Sequence, residues 1–415
     1  MRFCPELVGP LSSLLLVLPL KATISPDGKA LIEAQAHNGL RLWLKHFSKV
    51  TLICTIVGSQ TDPVLPIASI DGAERLRFIG LPSAWLPHRF FLRLPSAANV
   101  LQSEIDKADY LHFALGGLWG DWPSVAAILA RHSKRKFSVW TDHVESQVCV
   151  KTAQNKSGTA KLYWHLTSQL LKLYERHIIS NADLGLFHGA DCFEAYAKFC
   201  SNPHLVHNIH IGPQQHISDQ RLRDRLADRG RVLRVAYAGR ASHEKGTIDW
   251  VKAIAAARAN GANVVATWFG SGPELTAAQH LASGMGAPIS FPGPLPHSEL
   301  LETLKTFDAF VFCHKTLESP RCLIEALACG LPIIGYRSPY PDDLLSAHHG
   351  GVLVEMNSIE GLAVAIQTVA DQNQLEGLSY AAKAAASGFT DEAVFAHRSD
   401  LIKTHTPPSI PNADK

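Results

Sequence analysis

Two carboxylates, Glu318 and Glu325, bracket ESPRCLIE within the stretch HKTLESPRCLIEALACG, residues 314–330. Pro320 disfavours helical geometry at Ser319 and suits a first helical position, so Ser319 is the expected N-cap. The helix then runs through PRCLIEALAC to Gly330, a residue suited to a left-handed stop. Leu323, Ile324, Leu327 and Ala328 can face a core, and the amides of Arg321 and Cys322 point out of the helix start. Glu318 could do no more than complement the helix dipole. Glu325 lies beyond the first turn, and capping does not explain it. A carboxylate beside a helix start suits paired sugar hydroxyls, while the amides suit phosphate.

A second group of chemical residues is GRASHEKG, residues 239–246, where Arg240 and Lys245 share one short loop ahead of a helix expected from Thr247. Gly239 and Gly246 permit a tight backbone path. An arginine fork, a lysine charge and a helix N-terminus together make an anion site. Two solvated loop cations are the competing reading. Gly270-Ser-Gly272 follows another apolar run, but Leu275 stands where a third dinucleotide-fingerprint glycine would be, so a tight strand-to-helix turn is the better reading. In VWTDHVES, His143 sits at an expected strand end, as a ligand to a sugar or acceptor or as a satisfied loop histidine. His207 and His210 lack the helix and the third ligand of a metal site, and no closely spaced aspartate pair occupies a strand-end loop.

These side chains need a scaffold, and short apolar runs alternate with amphipathic segments to supply one. Strands are expected at 233–239, 264–270, 288–291, 309–313, 331–336 and 351–355, and helices at 247–260, 273–284, 297–306, 320–329 and 359–372. That alternation signals a parallel sheet covered on both faces, with ligands at the carboxyl ends of its strands. The first half carries strand-like runs SLLLVLPL, KVTLICTIVG, DYLHFAL, FSVWTD and DLGLFHG, with helices at 28–46, 121–133, 157–180 and 189–200 and less legible loops around 60–100. Gly116-Gly117 follows DYLHFAL and could line a ligand cleft.

The expected organisation is an N-terminal α/β domain over 1–212 and a polar linker over 213–230. A second α/β domain over 231–388, a helix over 389–403 and a disordered tail over 404–415 complete it. Thr390 is the expected cap of that last helix, with Asp391 and Glu392 in its first turn. The eight cysteines form no CxxC pair, which suits reduced thiols in a cytoplasm. The run LSSLLLVLPLKA has the length of a signal-peptide core. Glu6 and Pro5 beside a single Arg2, and no A-x-A-like site after Leu20, favour a buried strand. A net charge of +2 gives no case for nucleic acid. The longest basic run, Lys134-Arg135-Lys136, reads as a solvated helix end and leaves open only a weak contact with anionic lipid.

GRASHEKG, FGSGPEL, ISFPGPLPHSEL and ESPRCLIEALACGLPIIGY occur in order at fitting spacing. Together they resemble the nucleotide-binding half of group 1 (family 4) retaining glycosyltransferases with the GT-B fold, over about residues 231–372. The resemblance implies two Rossmann-like doubly wound α/β domains facing a cleft and a C-terminal helix crossing back to the first domain. It implies a nucleotide-diphosphate sugar as donor substrate, no further cofactor and no metal, and an acceptor that is a glycan, lipid or small molecule.

By that resemblance Arg240 and Lys245 hold the donor diphosphate, beside Gly239, Gly270 and Gly272. Glu325 takes the ribose hydroxyls. Glu318, with Ser319 and the backbone around Arg321, Cys322 and Leu323, contacts donor sugar and phosphate. Phe291 and Gly293 lie near the base. Arg240, Lys245, Glu318 and His143 would be the catalytic group. The family pattern has seven residues between the glutamates and an aromatic-glycine step after the first; here six intervene and Pro-Arg replaces that step. This departure motivates an alternative, a catalytically altered nucleotide-binding relative serving as an interaction subunit. A nicotinamide oxidoreductase, suggested by GSGPEL, is a third reading, weakened because the glycine pair follows the second strand of its domain. The expected location is cytoplasmic, with peripheral contact at the inner membrane face left open.

Overall fold

The protein is described by a computed structural model covering residues 12–59, 64–154, 156–227, 232–316 and 318–408. Arg2, Pro5 and Glu6, which bear on the leader reading, lie outside the described residues, as do the end of the polar 213–230 segment and residues 409–415 of the tail. The chain divides into two compact units, Met1–His210 with Glu392–Lys415, and Ile211–Asp391.

The first unit contains β1 (Ser13–Ile24), β2 (Ala30–Glu33), β3 (Lys49–Ile56), β4 (Val64–Pro66), β5 (Leu76–Pro82), β6 (Tyr110–Ala114), β7 (Ser138–Thr141), β8 (Leu184–His188) and β9 (Pro203–Val206). Its parallel sheet has the order β5-β3-β1-β6-β7-β8-β9, with β2 and β4 added antiparallel at the end of β1. Strand periodicity explains the two cores. Leu14 and Leu16 of β1 join one apolar cluster, while Leu15 and Val17 join the other, on the opposite sheet face. The described part of the leader-like run is therefore an interior strand of this sheet, between β3 and β6.

The region around 60–100 carries more structure than its sequence suggests: β5 and the helix Pro87–Lys107 occupy it. The start of the expected helix at 28–46 is instead β2, and the helix itself spans Ala34–His46. The last helix, Asp391–His405, extends two residues into the expected tail. It returns to the first unit, where Phe395 and Ile402 enter the core and the Arg398 guanidinium stacks 3.9 Å from the Trp140 ring centroid.

The second unit contains β10 (Leu233–Ala238), β11 (Val264–Phe269), β12 (Ile289–Ser290), β13 (Ala309–Phe312), β14 (Ile333–Tyr336) and β15 (Gly351–Val354). They form a sheet of order β12-β11-β10-β13-β14-β15, parallel throughout. The order reverses between β11-β10 and β13, the switch point at which doubly wound sheets bind ligands. Helices Thr247–Ala259, Leu275–Gly284, His297–Leu304 and Arg321–Ala328 connect strands close to the expected bounds, Ile359–Val369 follows β15 close to its own, and an unexpected short helix, Pro339–Leu345, joins β14 to β15.

The polar segment read as a linker carries a helix, Asp219–Ala227, with Leu222 and Arg225 buried. Arg225 donates to the carbonyls of Cys329 (2.9 Å) and Gly330 (2.6 Å). A buried guanidinium thus satisfies orphan carbonyls where the helix Arg321–Ala328 ends. The basic run 134–136 is partly structural as well, because Arg135 donates to the Ile105 carbonyl (2.6 Å) beside the end of the helix Pro87–Lys107.

Candidate functional site

At the switch point of the second unit, the loops after β10 and β11 run side by side as continuations of the sheet. Gly239 N donates to Phe269 O (2.9 Å), Ala241 N to Ser271 O (3.0 Å), and Gly270 N to Gly293 O (3.0 Å). The backbones approach too closely for side chains: a Cβ on Gly270, at φ +138°, would stand 2.1 Å from Gly239 O. Trp268 supports this floor from beneath, its indole N–H donating to Gly239 O (3.2 Å).

Above the floor opens a pocket of about 540 Å³, lined in part by Arg240, Ser271, Pro294, Leu295 and Glu325. That volume suits a small-molecule ligand. Gly239, Arg240, Gly270, Gly272 and Glu325, five of the residues singled out in the sequence, line it together. Gly293 adjoins it through its bond to Gly270. Ser271, Pro294, Leu295 and Leu300 also line it; they lie within FGSGPEL and ISFPGPLPHSEL but were not singled out as site residues.

Glu325 is anchored by a residue that lies within ISFPGPLPHSEL but was not singled out from the sequence. His297 Nε2, at the start of the helix His297–Leu304, lies 3.0 Å from Glu325 Oε1. That hydrogen bond holds the His297 imidazole above the usual histidine value, against the opposing pull of burial. The charged pair therefore contributes fully below the unfolded histidine value and is lost as pH rises through the elevated folded one. An NMR titration of His297 is expected to show a pKa above 6.5 that falls in Glu325→Gln. An unchanged midpoint in that variant would refute the coupling.

Lys245 and Glu318 do not line the pocket. They form an ion pair of 2.7 Å with both side chains about a fifth exposed (22% and 23%). His314 Nδ1 faces the other oxygen of Glu318 at 3.5 Å, and His314 Nε2 lies 2.7 Å from the Tyr237 hydroxyl. Burial drives the His314 pKa well below the usual value and the Tyr237 pKa well above it, so both are neutral. Glu318 is thus fixed between one cation and one neutral, buried imidazole.

The helix after Glu318 begins at Arg321, with Pro320 at the cap position. This corrects the expectation of Ser319 as N-cap and Pro320 as first helical residue, because Pro320 keeps an extended ψ of 123°. Leu323 is corrected too. Its side chain is fully buried and its amide donates to Pro320 O (3.2 Å), which leaves neither for a ligand. Cys322 occupies the second helical position, where no intrahelical acceptor exists for its amide, and burial pushes its thiol up to about 12. Arg321 and Phe291 are half-buried and do not line the pocket.

His143 belongs to the first unit, where it is exposed just after β7. It borders a very small pocket shared with Gly116, Gly117, Glu145, Glu175 and Tyr196. Burial is the main cause that raises Glu175 and Asp121 to about 7, and it raises Glu145 as well, whose charge adds to the rise at both. Asp121 accepts from the Ser124 hydroxyl, and Glu175 from the Ser146 amide (3.3 Å). This carboxyl group gathers from separate segments, so no local spacing announced it. Among the described residues no cluster of three or more ligand-type side chains could hold a metal.

Residues 218–385 match the family described as Glycosyl transferases group 1. The second unit thus resembles a group 1 glycosyltransferase domain over those residues. Among solved structures, the fold is similar to Anabaena HepE in complex with UDP, with TM-score 0.67 and 15% identity over 94% of this chain and 99% of that one. Sucrose-phosphate synthase from Thermosynechococcus elongatus gives 0.65 and 17%, over 95% and 98%. WaaG, a glycosyltransferase involved in lipopolysaccharide biosynthesis, gives 0.61 and 14%, over 94% and 99%. No curated protein sequence matches. The chain carries the GT-B fold, two Rossmann-like α/β domains with a terminal helix that rejoins the first.

Proposed function

We propose that this glycosyltransferase moves a sugar from a nucleotide-diphosphate donor to a glycan, lipid or small-molecule acceptor, with retention at the anomeric carbon and without a metal. The reading rests on one observation: Arg240 and Glu325 line one pocket over a glycine floor. Glu325 accepts ribose hydroxyls, and Arg240, with Lys245 from the same loop, takes the diphosphate. The sugar–oxygen bond to the diphosphate breaks, and its electrons leave with that phosphate. Cations placed there stabilise the developing charge. Ser319, Arg321 and the Cys322 amide lie toward the sugar and phosphate, and Phe291 and Gly293 toward the base. His143 serves the acceptor side. The HepE structures with UDP and with UDP-glucose make UDP-sugars the first donors to try.

Nucleotide release measured across UDP-, GDP- and ADP-sugars tests this reading. At least one donor is expected to turn over, and Glu325→Ala to raise its KM by roughly ten- to a hundredfold, as for a buried hydrogen-bonded group. Equal KM in that variant removes the ribose role. A second reading, a nucleotide-binding interaction subunit, draws on the shortened glutamate spacing and on the Lys245–Glu318 pair, which occupies a cation meant for phosphate. Nucleotide binding without release from any donor would favour it.

A further inference from the structure

The first unit exposes an apolar face that no part of the described chain covers. In the helix Gly158–Ile179, Leu162, Leu166, Leu170 and Leu173 are 61%, 57%, 55% and 65% exposed, and Tyr163 is 51% exposed. Their spacing of four, four and three residues puts the leucines on a single stripe, with Tyr163 at its edge. Ser168, Leu171, Glu175, Ile178 and Ile179 are the buried residues of the helix. The first turns of this helix pair with the preceding helix, Glu145–Gln154, as an antiparallel hairpin pinned by Ser168 Oγ to Ser146 O (2.8 Å).

The charge around the stripe has one sign. Lys161, His165 and Lys172 are exposed and border it on the helical projection, and Lys156 is exposed just before the helix. From 146 to 182 the only acidic residue is Glu175, which is buried. A second patch repeats the pattern. Trp85, Leu86, Phe91 and Leu92 are 50%, 48%, 61% and 75% exposed, among exposed His88, Arg89 and Arg93. No acidic residue lies between Glu74 and Glu104.

We propose that the leucine stripe of Gly158–Ile179 lies flat on an anionic lipid bilayer, with Phe91 and Leu92 as a second anchor. Leucines enter the acyl boundary while the bordering lysines keep their ammonium groups at the phosphates. Charge selects this occupant over a second copy, which would set Lys156, Lys161 and Lys172 against like charges. No described helix is long and apolar enough to cross a membrane, so the contact is one of lying on the surface. The surface is independent of the donor pocket and does not rest on the donor reading.

Co-sedimentation of the full chain with phosphatidylcholine vesicles, with and without phosphatidylglycerol, tests the proposal. Binding is expected only with the anionic lipid, and is expected to weaken in high salt. Leu166→Glu with Leu173→Glu, and separately Lys161→Glu with Lys172→Glu, should each reduce partition by roughly tenfold or more, with the thermal transition unchanged. Phe91→Glu with Leu92→Glu should reduce it independently; no change there removes the second anchor. Failure of the parent to bind anionic vesicles, or full binding by the leucine variant, overturns the proposal. So does a dimer by light scattering that the leucine substitutions dissociate, since the stripe's occupant is then a second copy.

Discussion

Lys245→Ala is expected to lower turnover by about 10²–10³-fold, the scale on which removing one preorganised charge-stabilising donor acts. The effect has two sources. On the proposed reading the variant loses the cation assigned to the departing diphosphate, and it leaves the Glu318 carboxylate, 2.7 Å from Nζ in the parent, without its ionic partner. An unpaired carboxylate near a donor phosphate adds repulsion to the missing attraction. Glu318→Gln separates the two, since it removes the acid while leaving Lys245 free for phosphate. Steady-state nucleotide release, with kcat and KM resolved, checks this. A Lys245→Ala enzyme within threefold of the parent in kcat would sink the phosphate assignment, and a slower Glu318→Gln enzyme would show that the carboxylate acts on the sugar.

The largest expected effect on stability comes from Gly246→Ala. Gly246 has φ +64° and precedes the helix Thr247–Ala259, and an added Cβ would stand 2.1 Å from the Cys313 carbonyl oxygen. The obstacle is backbone of the neighbouring strand end, so it cannot rotate aside. Left-handed strain alone costs about 1 kcal/mol or more, and the clash brings the total to about 3 kcal/mol or beyond. For a domain of this size that corresponds to a fall in Tm of roughly 6–12 °C. Gly286→Ala is the control: its φ is +60° and nothing lies within 4 Å of the added Cβ. Thermal melts that place the two variants together would refute the steric account.

The second unit was legible because its six strands are short apolar runs between amphipathic helices, the pattern that a parallel sheet buried on both faces imposes. Arg240 and Glu325 were legible for different reasons: Arg240 sits in a loop immediately after a strand, where sequence distance and spatial distance nearly coincide, and Glu325 is a carboxylate inside a helix whose capping does not account for it. His297 was not. It meets Glu325 from 28 residues away, and among 21 histidines nothing in its local spacing marks it. The helix Pro87–Lys107 was hidden by Pro95 in its interior and by an apolar face turned to solvent at Phe91 and Leu92, which breaks the expected inward pattern. The Asp121, Glu145 and Glu175 group was hidden because its members come from separate elements.

The return of Asp391–His405 to the first unit bears on the order of events during synthesis. The second unit is one uninterrupted stretch and has all its strands once the ribosome has passed Val354. The first unit begins earlier but ends later, because Phe395 and Ile402 belong to its core. Emerging chain therefore holds an open apolar seam beside Trp43 and Trp140 while the whole insert is made. The unit translated first is the last to close.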